Sequence, residues 1–188
     1  RIVEASDEPY LLIADSDHRI PSEIDRLLNQ LETRSDLGGV AGLLLEQNKI
    51  RGVCHDLEIQ DSVLVRDVWN EKTVHRVADS PLVEYDFVPN AILFRRECLE
   101  DSRWDPEYVI GKNHVDFFLT HKRETDWSFG INPTVLFGHY PGGDTTYTTN
   151  RNSMAKLVRS NPKFLDTWTL KAIVLVHTDW TDETRARS

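Results

Sequence analysis

The chain has 188 residues, 39% of them hydrophobic, and a formal net charge of −9 from 31 acidic against 22 basic residues. That length supports one domain with a substantial core, and the acid excess argues against nucleic-acid binding by a basic surface. Two cysteines, Cys54 and Cys98, exclude a disulfide framework and a cysteine-built zinc site, and fit a reducing compartment. Most of the basic residues are arginine, a composition that matches the carboxylate-dense surfaces of salt-adapted proteins. No apolar run reaches the ~20 residues that cross a bilayer, and the first residues carry no basic-plus-apolar signal pattern.

The first apolar run, residues 10–14, is short and reads as a strand buried on both faces. It ends in Asp15 and Asp17, two carboxylates at i and i+2, at the carboxyl end of a strand, where open α/β sheets bind ligands. Close carboxylates repel unless a cation lies between them. The same two residues also suit a turn or a helix cap. Pro21 then opens a helix whose Ile24, Leu27, Leu28 and Leu31 form one apolar stripe. Glu23, Asp25, Arg26, Asn29 and Gln30 fall on its wet face.

Residues 40–47 read as a strand, Asn48 and Lys49 as a tight turn, and 50–58 as the antiparallel return. Residues 62–68 and 72–78 add two short strands, a meander attached to the α/β part. Within 85–99 the apolar run 91–94 is interrupted upstream by Asp86 and Asn90. After Trp104 and Asp105, a helix carries Val115, Phe118 and Leu119 on one face, with Asn113 or His114 at its start. Asp116 falls in its first turn, where the helix dipole alone favours a carboxylate. Residues 127–137 form a strand pair or extended segment, broken at Asn132 and Pro133. They deliver His139 to a strand end ahead of Gly142 and Gly143, as an accessible imidazole ligand. Residues 144–152 are Thr-rich and polar, the composition of a mobile loop or lid. Residues 153–158 and 164–176 read as closing helices, the second ambiguous with a strand because of its β-branched Ile173, Val174 and Val176.

In their order and spacing, these motifs resemble the inverting glycosyltransferase family 2, which has a GT-A fold. Asp15-Ser16-Asp17 is similar to the family's D-x-D, and residues 87–96 to its acceptor-side strand. Trp104-Asp105-Pro106, then Gly111 to Phe118 with His114 and Asp116, look like the segment and helix that follow it. His139 matches the strand-end histidine. The resemblance runs from Ser6 to Gly143, and Asn113 stands where the family often has a glutamate.

The resemblance implies an α/β fold with a GT-A-like mixed sheet flanked by helices and an antiparallel strand insertion. It implies one domain over residues 1–188, incomplete because the nucleotide-binding front part of the family is not matched. The implied activity is metal-dependent inverting transfer of a sugar from a nucleotide-diphosphate donor to a glycan or lipid-linked acceptor. Asp15 and Asp17 would bind the cofactor and, with His139, the metal, Mn²⁺ or Mg²⁺. Asp116 would be the general base, and Asn90, Trp104 and His114 would contact substrate. The expected setting is cytoplasmic or at the membrane surface, with no nucleic-acid partner. Two other classes compete. A non-catalytic carbohydrate-binding module of GT-A shape is favoured by Asn113. A D-x-D phosphohydrolase is disfavoured because Arg19 and Ile20 stand where that motif needs Thr or Val.

Overall fold

The computed structural model describes residues 3–67, 71–108, 111–142 and 154–176, which build a mixed α/β fold. In chain order the elements are β1 (Tyr10–Ala14), β2 (His18–Arg19), α1 (Asp25–Thr33), β3 (Leu37–Glu46) and β4 (Lys49–Arg51). There follow β5 (Asp56–Gln60), β6 (Val63–Asp67), β7 (Val74–Val77), β8 (Ser80–Glu84) and β9 (Ala91–Arg95). The chain continues through α2 (Arg96–Asp101), α3 (Asn113–Glu124), β10 (Ser128–His139), α4 (Met154–Thr167) and β11 (Ala172–Val176).

Eight strands form one mixed sheet in the order β1-β9-β3-β10-β8-β7, with β2 on β10 and β4 on β3. β9 is antiparallel to both β1 and β3, and β10 is parallel to β3. Consequently β1, β3 and β10 all point the same way. Alternation sends neighbouring residues to opposite faces. Val40 and Leu93 join Leu27, Leu31, Val135 and Phe137 in one cluster, packed under α1. Ala41, Ile92 and Phe94 join Phe117, Phe118, Phe129 and Phe164 in the other, against α3 and α4. Three hairpin turns, at Gln47-Asn48, Asp61-Ser62 and Ala78-Asp79, hold both central residues at positive φ, the twist that suits two-residue loops. No helix among the described residues is long and apolar enough to cross a membrane.

Several expectations change. β1 lies at the edge of the sheet, and only Leu11 in it is fully buried, so it is not covered on both faces. The return strand expected over 50–58 splits. β4 ends at Arg51, His55 bridges to Phe87, and β5 leaves for a second sheet of order β11-β6-β5. The β-branched end of the chain resolves as β11, paired in parallel with β6 rather than helical. The helix expected over 153–158 runs on through Thr167, and α2 was not anticipated. Residues 144–152 lie outside the described residues.

The break at Asn132-Pro133 does not end a strand. β10 continues through it with a register shift between Ile131 and Leu136, which accommodates the missing proline N–H in a bulge. Asn132 is fully buried there, its amide donating to Gln30 Oε1 (3.3 Å) and Ser80 Oγ (3.1 Å), while its Oδ1 accepts from Thr134 N (3.0 Å). Gln30, expected on the wet face of α1, is therefore buried, and its Nε2 donates to the carbonyl of Pro81 at 3.0 Å. A buried amide without partners costs more than an apolar residue, so this set must be satisfied together.

The bulge also brings backbone against β3. A Cβ on Gly42 would lie 2.6 Å from the Val135 carbonyl oxygen and 2.7 Å from the Phe137 ring. Gly42→Ala should therefore lower stability by about 1–3 kcal/mol. Gly142→Ala, whose Cβ meets nothing nearer than 3.7 Å, should stay within about 0.5 kcal/mol of the parent. Denaturant midpoints of the two variants check this, and equal midpoints would contradict the packing described.

Candidate functional site

Three codirectional strands place their carboxyl ends on one edge of the sheet. Asp15 follows β1, Glu46 closes β3 and His139 closes β10. β9 runs the other way and begins at this edge, so Asn90 stands beside Asp15, next to the Ala14–Ala91 pair. Asn90 Nδ2 donates to Asp15 Oδ1 at 2.5 Å.

After β1 the chain turns sharply, with His18 N donating to Asp15 O at 3.0 Å. It then crosses the sheet end to pair with β10, His18 opposite His139 and Arg19 opposite Gly138. Tyr140 N donates to Asp17 O at 3.0 Å and locks the crossing. Asp17 is thereby set against His139, with Nε2 and Oδ2 3.5 Å apart. On the far side of the ring, His139 Nδ1 donates to Glu46 Oε2 at 2.8 Å. His18 Nε2 lies 4.0 Å from Asp17 Oδ1, and the two imidazoles meet edge to face at 5.2 Å. One donor atom each from Asp17, His18 and His139 lies within 4.8 Å of the others, spacing that allows all three to ligate one ion.

Electrostatics follow burial. The His18 side chain is only 2% exposed. That burial pushes its imidazole below the usual range, against the pull of Asp15 and Asp17. Despite desolvation, hydrogen bonds from His139 and Arg51 hold the Glu46 carboxyl below its ordinary range.

A cleft of about 430 Å³ adjoins Asp15 and is lined by Ile13, Asn90, Trp104, Asn113 and His114, among others. Trp104 stacks on Phe117 with centroids 4.3 Å apart and planes 9° from parallel, and its Nε1 donates to His114 Nδ1 at 3.3 Å. One face of this indole is therefore already covered. The Asp15 charge acts on both His18 and His114, so Asp15 links the Asp17 cluster to the cleft.

Gly111 (φ 72°) and Lys112 (φ 65°) make the left-handed turn that starts α3. Asp116 sits in the first turn of α3, 8% exposed, and its Oδ1 accepts from Trp168 Nε1 (2.8 Å) and Tyr108 OH (3.3 Å). Burial pushes its carboxyl up, against those two hydrogen bonds.

Of the residues singled out in the sequence, Asp17 and His139 come together, and Asn90, Trp104 and His114 share one cleft. Asp15 lies at the same edge, tied to Asn90 and outside the Asp17-His18-His139 group. Asp116 is turned toward Tyr108 and Trp168. His18, Glu46, Tyr108 and Trp168 carried no motif. Only Glu46 had a usable signal, an acid closing an apolar strand as Asp15 does. No protein-family model matches the chain, and no curated protein matches it in sequence.

The raised carboxyl at Asp116 has a sign that can be tested. Its folded pKa lies above the unfolded one, so its contribution to stability is most favourable at low pH and falls as pH rises through the folded value. Asp116→Asn keeps an oxygen for Trp168 and Tyr108 and removes the buried charge. It should raise the thermal midpoint near neutral pH, and that gain should vanish as pH falls below the ordinary carboxylate range, where the parent is protonated. A neutral-pH midpoint at or below the parent's would refute the buried-charge account.

Proposed function

We propose that this chain is a GT-A-like glycosyltransferase domain of the inverting family-2 type, taking a nucleotide-diphosphate sugar as donor and a glycan or lipid-linked acceptor. The observation that carries the reading is the approach of Asp17, the second acid of the D-x-D, to within 3.5 Å of His139. This pair lies at the carboxyl edge of the sheet, where Asp15 bonds to Asn90 of the cleft that also holds Trp104 and His114. A mixed sheet with helices packed on both faces is what that fold class requires, and supports the reading.

Asp17 and His139 would hold a divalent ion, Mn²⁺ or Mg²⁺, with Asp15 oriented by Asn90 beside it. The chemistry such an ion supplies is charge neutralisation on the departing diphosphate. Asp15 sits where it can accept a hydrogen bond from a donor hydroxyl or from bound water. Trp104 and His114 give the cleft an aromatic wall and a polar edge, the pairing that sugar rings use. Asp116 would take the proton of the acceptor hydroxyl, and its raised pKa suits a base working near neutral pH. Because Trp168 occupies Oδ1, an acceptor must enter from the side of Asp116 away from the end of α4.

One observation favours a second reading. Asp116 is 8% exposed and tied by two donors, as a structural carboxylate would be in a carbohydrate-binding module without turnover.

Nucleotide release separates the two readings. The assay takes the chain with any natural sequence that precedes it, since the family resemblance assigns the nucleobase contacts to a segment ahead of the D-x-D strand. With Mn²⁺ and a UDP-sugar, the parent should release UDP. Asp17→Ala should lose most of that rate. Asp116→Asn should lose about 10²–10⁴-fold in transfer while Mn²⁺-dependent donor binding persists. Sugar binding without any nucleotide release would support the module instead, and phosphate release from a monoester would point to a phosphohydrolase.

A further inference from the structure

We infer that His18 is a second imidazole ligand of the ion held by Asp17 and His139, with Glu46 as the outer carboxylate that orients His139. The resulting centre selects transition-metal ions over Mg²⁺. This rests on the reading that Asp17 and His139 hold a divalent ion, and not on sugar transfer itself.

Three observations carry it. His139 donates Nδ1–H to Glu46 at 2.8 Å, which leaves Nε2 as the nitrogen facing Asp17 Oδ2 at 3.5 Å. Nε2 and the carboxylate oxygen thus face each other across a gap that a cation can fill. Both Glu46 oxygens are engaged, Oε2 by His139 and Oε1 by Arg51 Nη2 at 3.0 Å. Glu46 is thus placed as an orienting partner rather than a ligand, the usual arrangement behind a metal-bound histidine. Finally, the His18 side chain is 2% exposed and its Nδ1 has no hydrogen-bond partner. Its Nε2 lies 4.0 Å from Asp17, too far for a hydrogen bond. A histidine so buried is normally satisfied. Here its ring meets His139 edge to face and one of its nitrogens falls inside the Asp17-His139 cluster.

Two imidazoles and one carboxylate, with positions left open, make a donor set suited to Mn²⁺, Fe²⁺, Co²⁺ or Zn²⁺. Mg²⁺ prefers an all-oxygen octahedron and gives up its waters reluctantly.

The test is calorimetric titration of the chain with Mn²⁺ and separately with Mg²⁺, with no nucleotide present. Mn²⁺ should bind, and Mg²⁺ at the same concentrations should neither bind measurably nor displace it. His18→Ala and Glu46→Gln should each weaken Mn²⁺ by about 10–100-fold. Pulsed EPR of the Mn²⁺-loaded parent should resolve two coupled imidazoles, a readout that does not depend on how well a His18 variant folds. Equal affinity for Mg²⁺, unchanged Mn²⁺ binding in His18→Ala, or a single coupled imidazole would each overturn the inference. So would the absence of Mn²⁺ binding. Mn²⁺ held by two imidazoles without UDP release would keep this centre and lose the transferase. Equal turnover with Mg²⁺ and Mn²⁺ would do the reverse.

Discussion

The pairing of β2 with the last residues of β10 is the contact on which the rest depends. Two residues, His18 and Arg19, lie antiparallel to His139 and Gly138, and this short ladder draws the segment after β1 across the end of the sheet. Without it, Asp15 and Asp17 would sit at the sheet edge, three strands from β10 in the order β1-β9-β3-β10. With it, Asp17 is held against a histidine more than a hundred positions away. The ladder is small, so its register is defended by the Tyr140 N to Asp17 O hydrogen bond and the His18 N to Asp15 O turn. A one-residue slip would turn every side chain in it to the opposite face.

That crossing also explains which parts of the site could be read beforehand. An acid or a histidine at the end of an apolar strand is legible, because strand ends on one sheet edge collect ligands whatever lies between them. Asp15, Asp17 and His139 stood out for that reason. His18 did not, since its role comes from pairing with a strand over a hundred residues downstream, and local pattern carries no trace of such a partner. Glu46 sat in plain view at the end of β3. Its meaning depends on β3 and β10 being parallel neighbours, with their ends in step.

The fold was readable to the same depth. The stripe Ile24, Leu27, Leu28 and Leu31 packs as its spacing required, with Leu27 and Leu31 fully buried. Gln30 was misplaced because helical periodicity assigns polar residues to water. Asn132 in the bulge of β10 and the Pro81 carbonyl in β8 together supply the buried partners that make an amide welcome inside. In the same way, Pro133 looked like the end of a strand, and tertiary pairing on either side of the bulge kept β10 whole. Local propensity was overruled in both places by hydrogen bonds to distant segments, which is where single-sequence reasoning is weakest.

Asp116 shows the opposing demands placed on one residue. A base needs a carboxyl raised toward neutrality and a route for the acceptor, whereas a structural carboxylate needs partners and enclosure. Here burial raises the group while Trp168 and Tyr108 steady its charged form. Those donors come from the end of α4 and from the segment before α3. Lys163 on α4 also pairs with Asp105 and Glu107 in that segment. The environment of Asp116 is therefore set by how α4 docks on residues 105–108, and not by the Asp17 cluster. Under the proposed transfer, the strength and access of Asp116 as a base are governed by α4, independently of the proposed metal centre. Under that proposal, such a division would let acceptor chemistry vary through α4 while the crossing strand and its histidines stay as they are.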